Sequence, residues 1–272
     1  MQLARWILSP AVAAALLCGG TVFAAEGEKK AAKELPSFGI LRAPAPEQAR
    51  SQAQDWLKGV GKTDEKSTKE FDATWASDQT LLDKVTATLE LGDPAAKKLL
   101  VEARDPNASA PQAVPAAIKN AKQSSFYRAN LALAYAKALS NRRIYEEGLE
   151  ALKAVKPEGV VDPSSYLFYK AVAEHALLLK NEADDTILRL LDDVVDAPER
   201  HKMVAALMHF DMRQWRDKDL GWITRKMGNI ERRLDLSRGG PKTQKMQREV
   251  VMRLDEIIKQ LEKPPDDGNG GC

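Results

Sequence analysis

From residue 47 to residue 262 the apolar positions recur at three- and four-residue intervals, broken by proline, glycine and short polar runs. That period lines apolar side chains along one face of a helix, and the strict alternation and β-branched enrichment of strands are hardly found. Pro46 opens a helix reaching about Lys58, Phe71 and Trp75 stand four apart on a second, and Leu81, Leu82, Val85, Leu89 and Leu91 form a third stripe with Asp78 as its expected cap. Gly92 stops that stripe and Asp93-Pro94 starts the next. Asp supplies an N-cap acceptor there, and Pro at the first helical position gives up only an N–H that has no intrahelical acceptor. The device returns at Asp162-Pro163 and more loosely at Asp196-Ala197-Pro198. Residues 105–115, with three prolines among small polar residues, read as a long loop or linker. The predicted fold class is all-α, built of stacked antiparallel helical hairpins, with residues 47–212 as the main domain.

The stretch from Ala129 to Val155 carries the most information. Leu131, Leu133, Tyr135 and Leu139 belong to one helix, Ser140 to Arg143 make a turn, and Ile144 to Leu152 open a second helix that Pro157 stops. Ala132, Ala134, Ala136 and Ala138 let two helices approach closely. Tyr169 stands 34 positions after Tyr135, followed by Ala171, Ala173 and Ala176, a turn expected at Asn181-Glu182, and Ile187, Leu190 and Leu191. Helix–turn–helix content at a period near 34 resembles the tetratricopeptide repeat over about residues 126–195. Ala134-Tyr135-Ala136 and Tyr145-Glu146-Glu147-Gly148-Leu149 carry the resemblance, with a fainter unit at Leu89 to Asp93. Gly148 and Val155 depart from it, standing where the family prefers Ala. The resemblance implies a right-handed array, an α-solenoid, whose concave face binds a protein or peptide. The groove-side residues expected on that reading are Tyr135, Asn141, Arg142, Tyr169 and Lys170.

Farther along, Leu220, Ile223, Met227, Ile230 and Leu234 are spaced 3, 4, 3, 4, and Val250, Leu254, Ile257 and Leu261 are spaced 4, 3, 4, with Gly239-Gly240-Pro241 between the two runs. Each run is a heptad-like seam, so residues 213–262 predict a C-terminal α-hairpin, either folded onto the repeat or available for self-association. Charge is uneven here. Residues 213–248 hold eleven Lys or Arg and four acids, whereas residues 182–199 hold seven acids and one Arg. Arg225, Lys226, Arg232, Arg233, Arg238, Lys242, Lys245 and Arg248, beside Trp215 and Trp222, form a candidate basic patch for an anionic envelope polymer or a lipid head group.

The whole chain has 272 residues, 44% hydrophobic and 29% charged, with a net charge of +2. That composition is globular, and the near-neutral balance argues against nucleic acid as the partner. Residues 1–25 combine Arg5, an apolar run from Trp6 to Leu17, and small residues at Val22 to Ala25. They read as a signal peptide cut after Ala24 or Ala25, which implies export to the periplasm or the exterior. An uncleaved anchor is the alternative, and a lipid anchor on Cys18 is disfavoured because Leu17 stands where a small residue is needed. Residues 26–46 then read as a flexible tether and residues 263–272 as a disordered tail. Cleavage would leave Cys272 as the one cysteine, with no intrachain disulfide available.

Recognisable reaction chemistry is sparse. Lys58-Gly59-Val60-Gly61-Lys62-Thr63 imitates the end of a phosphate loop, but Trp56 occupies the position of the required first glycine, so the run reads as a helix terminus. His175, His201 and His209 lack metal-site spacing, and Asp184-Asp185 and Asp192-Asp193 read as solvated helix faces. No nucleophile elbow occurs. The expected function is therefore that of an exported, non-enzymatic helical-repeat protein, a protein-binding or scaffold module of the cell envelope with no cofactor. The alternative is a structural envelope protein that grips an anionic polymer or membrane surface through the basic hairpin; an enzyme without a known motif ranks third.

Overall fold

The computed structural model describes residues 38–262. The signal segment, most of the tether and the tail after residue 262 lie outside the described residues. Within them the fold is all-α: twelve helices, one 3₁₀ turn at Pro157–Gly159 and no strand. The helices are α1 (Pro46–Gly59), α2 (Glu65–Ala76), α3 (Leu81–Gly92), α4 (Pro94–Arg104), α5 (Ala116–Lys119), α6 (Ser125–Asn141), α7 (Tyr145–Lys153), α8 (Pro163–Ala176), α9 (Lys180–Asp192), α10 (Glu199–Arg213), α11 (Leu220–Asp235) and α12 (Pro241–Glu262).

Local chemistry sets most helix starts. The Asp93 carboxylate accepts from the Ala95 N–H at 2.8 Å, and Asp162 accepts from the Ser165 N–H at 2.8 Å. Thr80 rather than Asp78 caps α3, because its hydroxyl both accepts from the Asp83 N–H at 3.2 Å and donates to the Asp83 carboxylate at 2.7 Å. At α10 the cap position is Pro198, and the Asp196 side chain plays no part in it.

Packing follows a regular order. Consecutive helices pair as α3–α4, α6–α7 and α8–α9, the second helix of each pair meets the first of the next, and α3, α6, α8 and α10 touch in a row. The α6–α7 and α8–α9 turns share one geometry. Arg143 and Leu178 both adopt left-handed φ, +60° and +62°. The following N–H, of Ile144 or Leu179, closes back on the carbonyl of Leu139 or Glu174 at 2.9 Å in each turn. These turns lie 35 residues apart, so Lys170, not Tyr169, stands where Tyr135 stands. The predicted turn at Asn181-Glu182 is corrected, since both residues sit in the first turn of α9.

The core sits around α6, whose alanines at 129, 132, 134, 136 and 138 are all buried along with Leu131, Leu133, Tyr135 and Leu139. α3, α4, α7 and α8 all pack on this helix, which is why it is apolar on every side. At the N-terminal end Trp56 stacks on Tyr127 at 5.4 Å and closes on Gly92, where a Cβ would strike the indole. The tether expected over 26–46 is also corrected in its described part. Leu41 is buried, its N–H reaches the Asp193 carbonyl at 2.9 Å, and the Val195 N–H returns to the Leu41 carbonyl at 3.1 Å. Backbone pairing along the end of α9 thus holds residues 39–41.

Candidate protein-binding surfaces

The predicted groove residues separate once the helices pack. Tyr135 is 2% exposed, and burial, with the Glu147 carboxylate adding to it, pushes its phenol up to about 12. A side chain so enclosed touches no partner, and Tyr135 is a core residue of α6 rather than a groove residue. Arg142 is also structural: its guanidinium donates to the Glu102 carbonyl at 3.1 Å and to the Ala108 carbonyl, fastening the 105–115 loop to the end of α6. Lys170 turns inside its own hairpin, 2.6 Å from the Thr186 hydroxyl and 2.8 Å from the buried Glu174 carboxylate. Asn141 is exposed at the end of α6, and Tyr169 stays half-buried.

Tyr169 belongs to a different set. The row α3, α6, α8, α10 carries Asp83, Lys137, Tyr169 and Arg200, and Lys137 pairs with Asp83 at 2.9 Å across two helices. Burial raises the Tyr169 pKa, opposed by the positive charges of Lys137 and Arg200 nearby. One signal for this row was present in the sequence: Lys137 is a lone charge between Ala136 and Ala138.

The basic patch is corrected more sharply. Arg232, Arg233 and Arg238 point inward and converge on Glu146 at the start of α7. Arg232 makes two bonds of 2.9 Å to the two Glu146 oxygens, Arg233 one of 2.5 Å, and Arg238 one of 2.9 Å to Glu147. Burial alone would raise the Glu146 pKa, but the hydrogen bonds and charge of Arg232, with Arg233, outweigh it and hold the carboxyl at about 2. Further donors tie down the backbone. Arg232 reaches the Arg143 carbonyl at 2.9 Å, Asn229 the Ala176 carbonyl at 2.7 Å, and Arg238 the Pro111 carbonyl at 2.8 Å. α11 is thereby laid across the α6–α7 turn and the end of α8.

Of the remaining cations, Lys226 pairs with Glu249 at 3.0 Å, and the Arg225 guanidinium lies 4.9 Å from the centre of the Trp215 ring. Lys242, Lys245 and Arg248 are exposed on α12. Lys242 and Lys245 join Lys180, Trp215 and Trp222 around a cavity of about 600 Å³ between the α8–α9 turn and the hairpin.

The hairpin seam divides by heptad position. Ile223, Ile230 and Val250 are buried between α11 and α12, with Trp222, Met246 and Ile257 packed against them. Leu220, Met227 and Leu234, expected in the same seam, instead lie outside it with exposures of 65%, 54% and 48%. Val251, Leu254, Ile258 and Leu261 of α12 are exposed as well. Met227, Ile230, Leu234, Val250 and Val251 line an apolar groove edged by Glu231 and Asp235.

The histidines serve packing and pairing. His201 is buried, 2.9 Å from the Ser164 hydroxyl and stacked on Phe168 at 4.2 Å, and burial lowers its pKa. His209 meets Asp184 at 3.0 Å, so that acid is not simply solvated. Among the described residues no group of three His, Cys, Asp or Glu is placed to hold a metal ion, and no helix is long and apolar enough to cross a membrane. Compared with family models, curated proteins and solved structures, the chain matches none.

Proposed function

We propose that this chain is an exported, non-enzymatic helical-repeat protein of tetratricopeptide type that works as a protein-binding module of the cell envelope. Export rests on the basic, apolar and small-residue sequence of residues 1–25. The repeat reading is supported by the identical turns around Arg143 and Leu178 and by the regular order in which α3 to α10 pack. The binding reading rests on one observation: the apolar groove between α11 and α12 is open to solvent while α11 is anchored to the stack through Glu146. A rigid groove lined at heptad spacing accepts the apolar face of an amphipathic helix, and exposing it without a partner leaves apolar surface in water.

The test is photo-crosslinking in the envelope of the native host, with the reactive group at Val251 and, as a comparison, at Asn141. A discrete adduct from Val251 that Met227→Glu removes, with the melting temperature unchanged, supports the reading. Failure of Val251 to form a specific adduct refutes it.

A second reading has its own observation. Lys180, Lys242 and Lys245 gather with Trp215 and Trp222 at one cavity that Asp217 and Glu249 also line, and its lysine side suits an acidic polysaccharide. Heparin retention that declines with salt and is weakened by Lys242→Glu and Lys245→Glu would favour it.

A further inference from the structure

A second apolar face lies apart from the hairpin groove, at the end of the helix row. On α10, Met203, Leu207 and Phe210 are 63%, 66% and 60% exposed. On α9, Leu188 and Leu191 are exposed too, on the flank turned toward α10, since Asp184, one turn before Leu188, reaches His209, and Val195 in the turn after α9 is also exposed. The exposed Phe38 and Ile40 extend this face beside Val195, which binds the Leu41 carbonyl. The succession of helices stops here. α10 packs on α8 and α9, and its far side meets water.

The pattern on α10 identifies the occupant. His201, Ala205, Met208 and Met212 are buried. At 100° per residue, Glu199, Met203, Ala206, Leu207, Phe210 and Gln214 fall on the opposite side. Read backwards, this outer stripe repeats itself. An antiparallel copy centred between Ala206 and Leu207 sets Met203 against Phe210, small Ala206 against bulky Leu207, and Glu199 against Gln214 and the neighbouring Arg213. Both ends would then be complementary in charge: Glu199, exposed although it pairs with Lys202 of its own helix at 3.1 Å, would face the exposed Arg213 of the other copy at each end. Self-complementarity of one patch is what a two-fold interface requires, and a foreign peptide would not demand it.

We infer that the α9–α10 face seats a second copy of this chain, joined antiparallel through α10 about a two-fold axis near Ala206 and Leu207. The two helix stacks would continue each other end to end, and each would bury the face the other leaves open. The hairpin grooves play no part in this contact, so it stands whether or not a partner helix binds them.

Sedimentation equilibrium of the purified chain across the micromolar range tests this. The wild type is expected to be dimeric, Leu207→Glu monomeric with its helical circular dichroism retained, and Val251→Glu still dimeric. Glu199→Arg should weaken the dimer at least tenfold, and adding Arg213→Glu should restore it. A wild type that stays monomeric overturns the inference. So does a dimer that survives Leu207→Glu but not Val251→Glu, which would move self-association to the hairpin. A charge swap that fails to restore association overturns the antiparallel register.

Discussion

Arg232 grips Glu146 with both terminal nitrogens, each 2.9 Å from a different carboxylate oxygen, across 86 residues of chain. The Arg232 side chain is 4% exposed and that of Glu146 16% exposed, so the pair works in a poorly hydrated pocket. Planar bidentate geometry of this kind carries direction as well as strength. It fixes the angle at which α11 crosses the tips of the α6–α7 and α8–α9 hairpins, and so the outlook of the groove that α11 shares with α12.

Removing the acid from that cluster should detach the hairpin. Glu146→Gln leaves Arg232 and Arg233 buried without their counter-charge, a loss of about 3–5 kcal/mol. Hydrogen exchange is expected to rise first over residues 220–262, while amides of α6 stay protected. Equal loss of protection across α6 and α11 would show that the cluster supports the whole stack instead.

Acid should have a related effect. The folded Glu146 carboxyl is held at about 2, below its ordinary 4.5, so the unfolded chain binds the proton more readily. The stability it contributes is complete above pH 4.5 and disappears as pH falls toward 2, about 3 kcal/mol in all. His201 is shifted below its ordinary 6.5 by burial, so acidification through that value also favours the unfolded state. Urea midpoints measured from neutral pH downward should fall in two stages. Glu146→Gln is expected to abolish the lower stage, and His201→Gln the upper one.

Two glycines should respond in opposite directions. A Cβ at Gly148 would meet its nearest neighbours, on Ala136 and Leu139, at 3.7–3.8 Å, which is ordinary contact. Gly148→Ala should therefore stabilise α7 by about 0.5–1 kcal/mol through helix propensity. At Gly92 the added methyl would collide with the Trp56 ring, which is itself stacked on Tyr127. Gly92→Ala should lower the melting temperature and, as Trp56 moves, change the tryptophan fluorescence.

Tyr135 and Tyr169 look alike in the sequence and should behave differently. Tyr135→Ala removes a buried ring from the core-facing side of α6 at a cost of about 3–5 kcal/mol. Tyr169→Ala, at a half-buried site beside Lys137, should cost under half as much. Thermal melts of the two variants distinguish them directly.

These two tyrosines differ through tertiary packing alone. α6 is apolar on every side, so its spacing marks a helix without marking an outer face, and Tyr135 could not be told from a groove residue. The C-terminal charges posed the same difficulty. Arg232 and Lys242 are alike as letters, and only the presence of Glu146 opposite α11 draws the first inward and leaves the second in water.

Helix starts at Asp93-Pro94 and Asp162-Pro163, the stop at Gly92, the all-α class and the break between α11 and α12 followed from the order of residues, because capping and backbone chemistry act within a few positions of the chain. The burial of Tyr135, the inward turn of three arginines and the division of the hairpin seam into covered and open positions came from packing. Each depends on a neighbour dozens of residues away, and periodicity describes a helix without specifying what stands beside it.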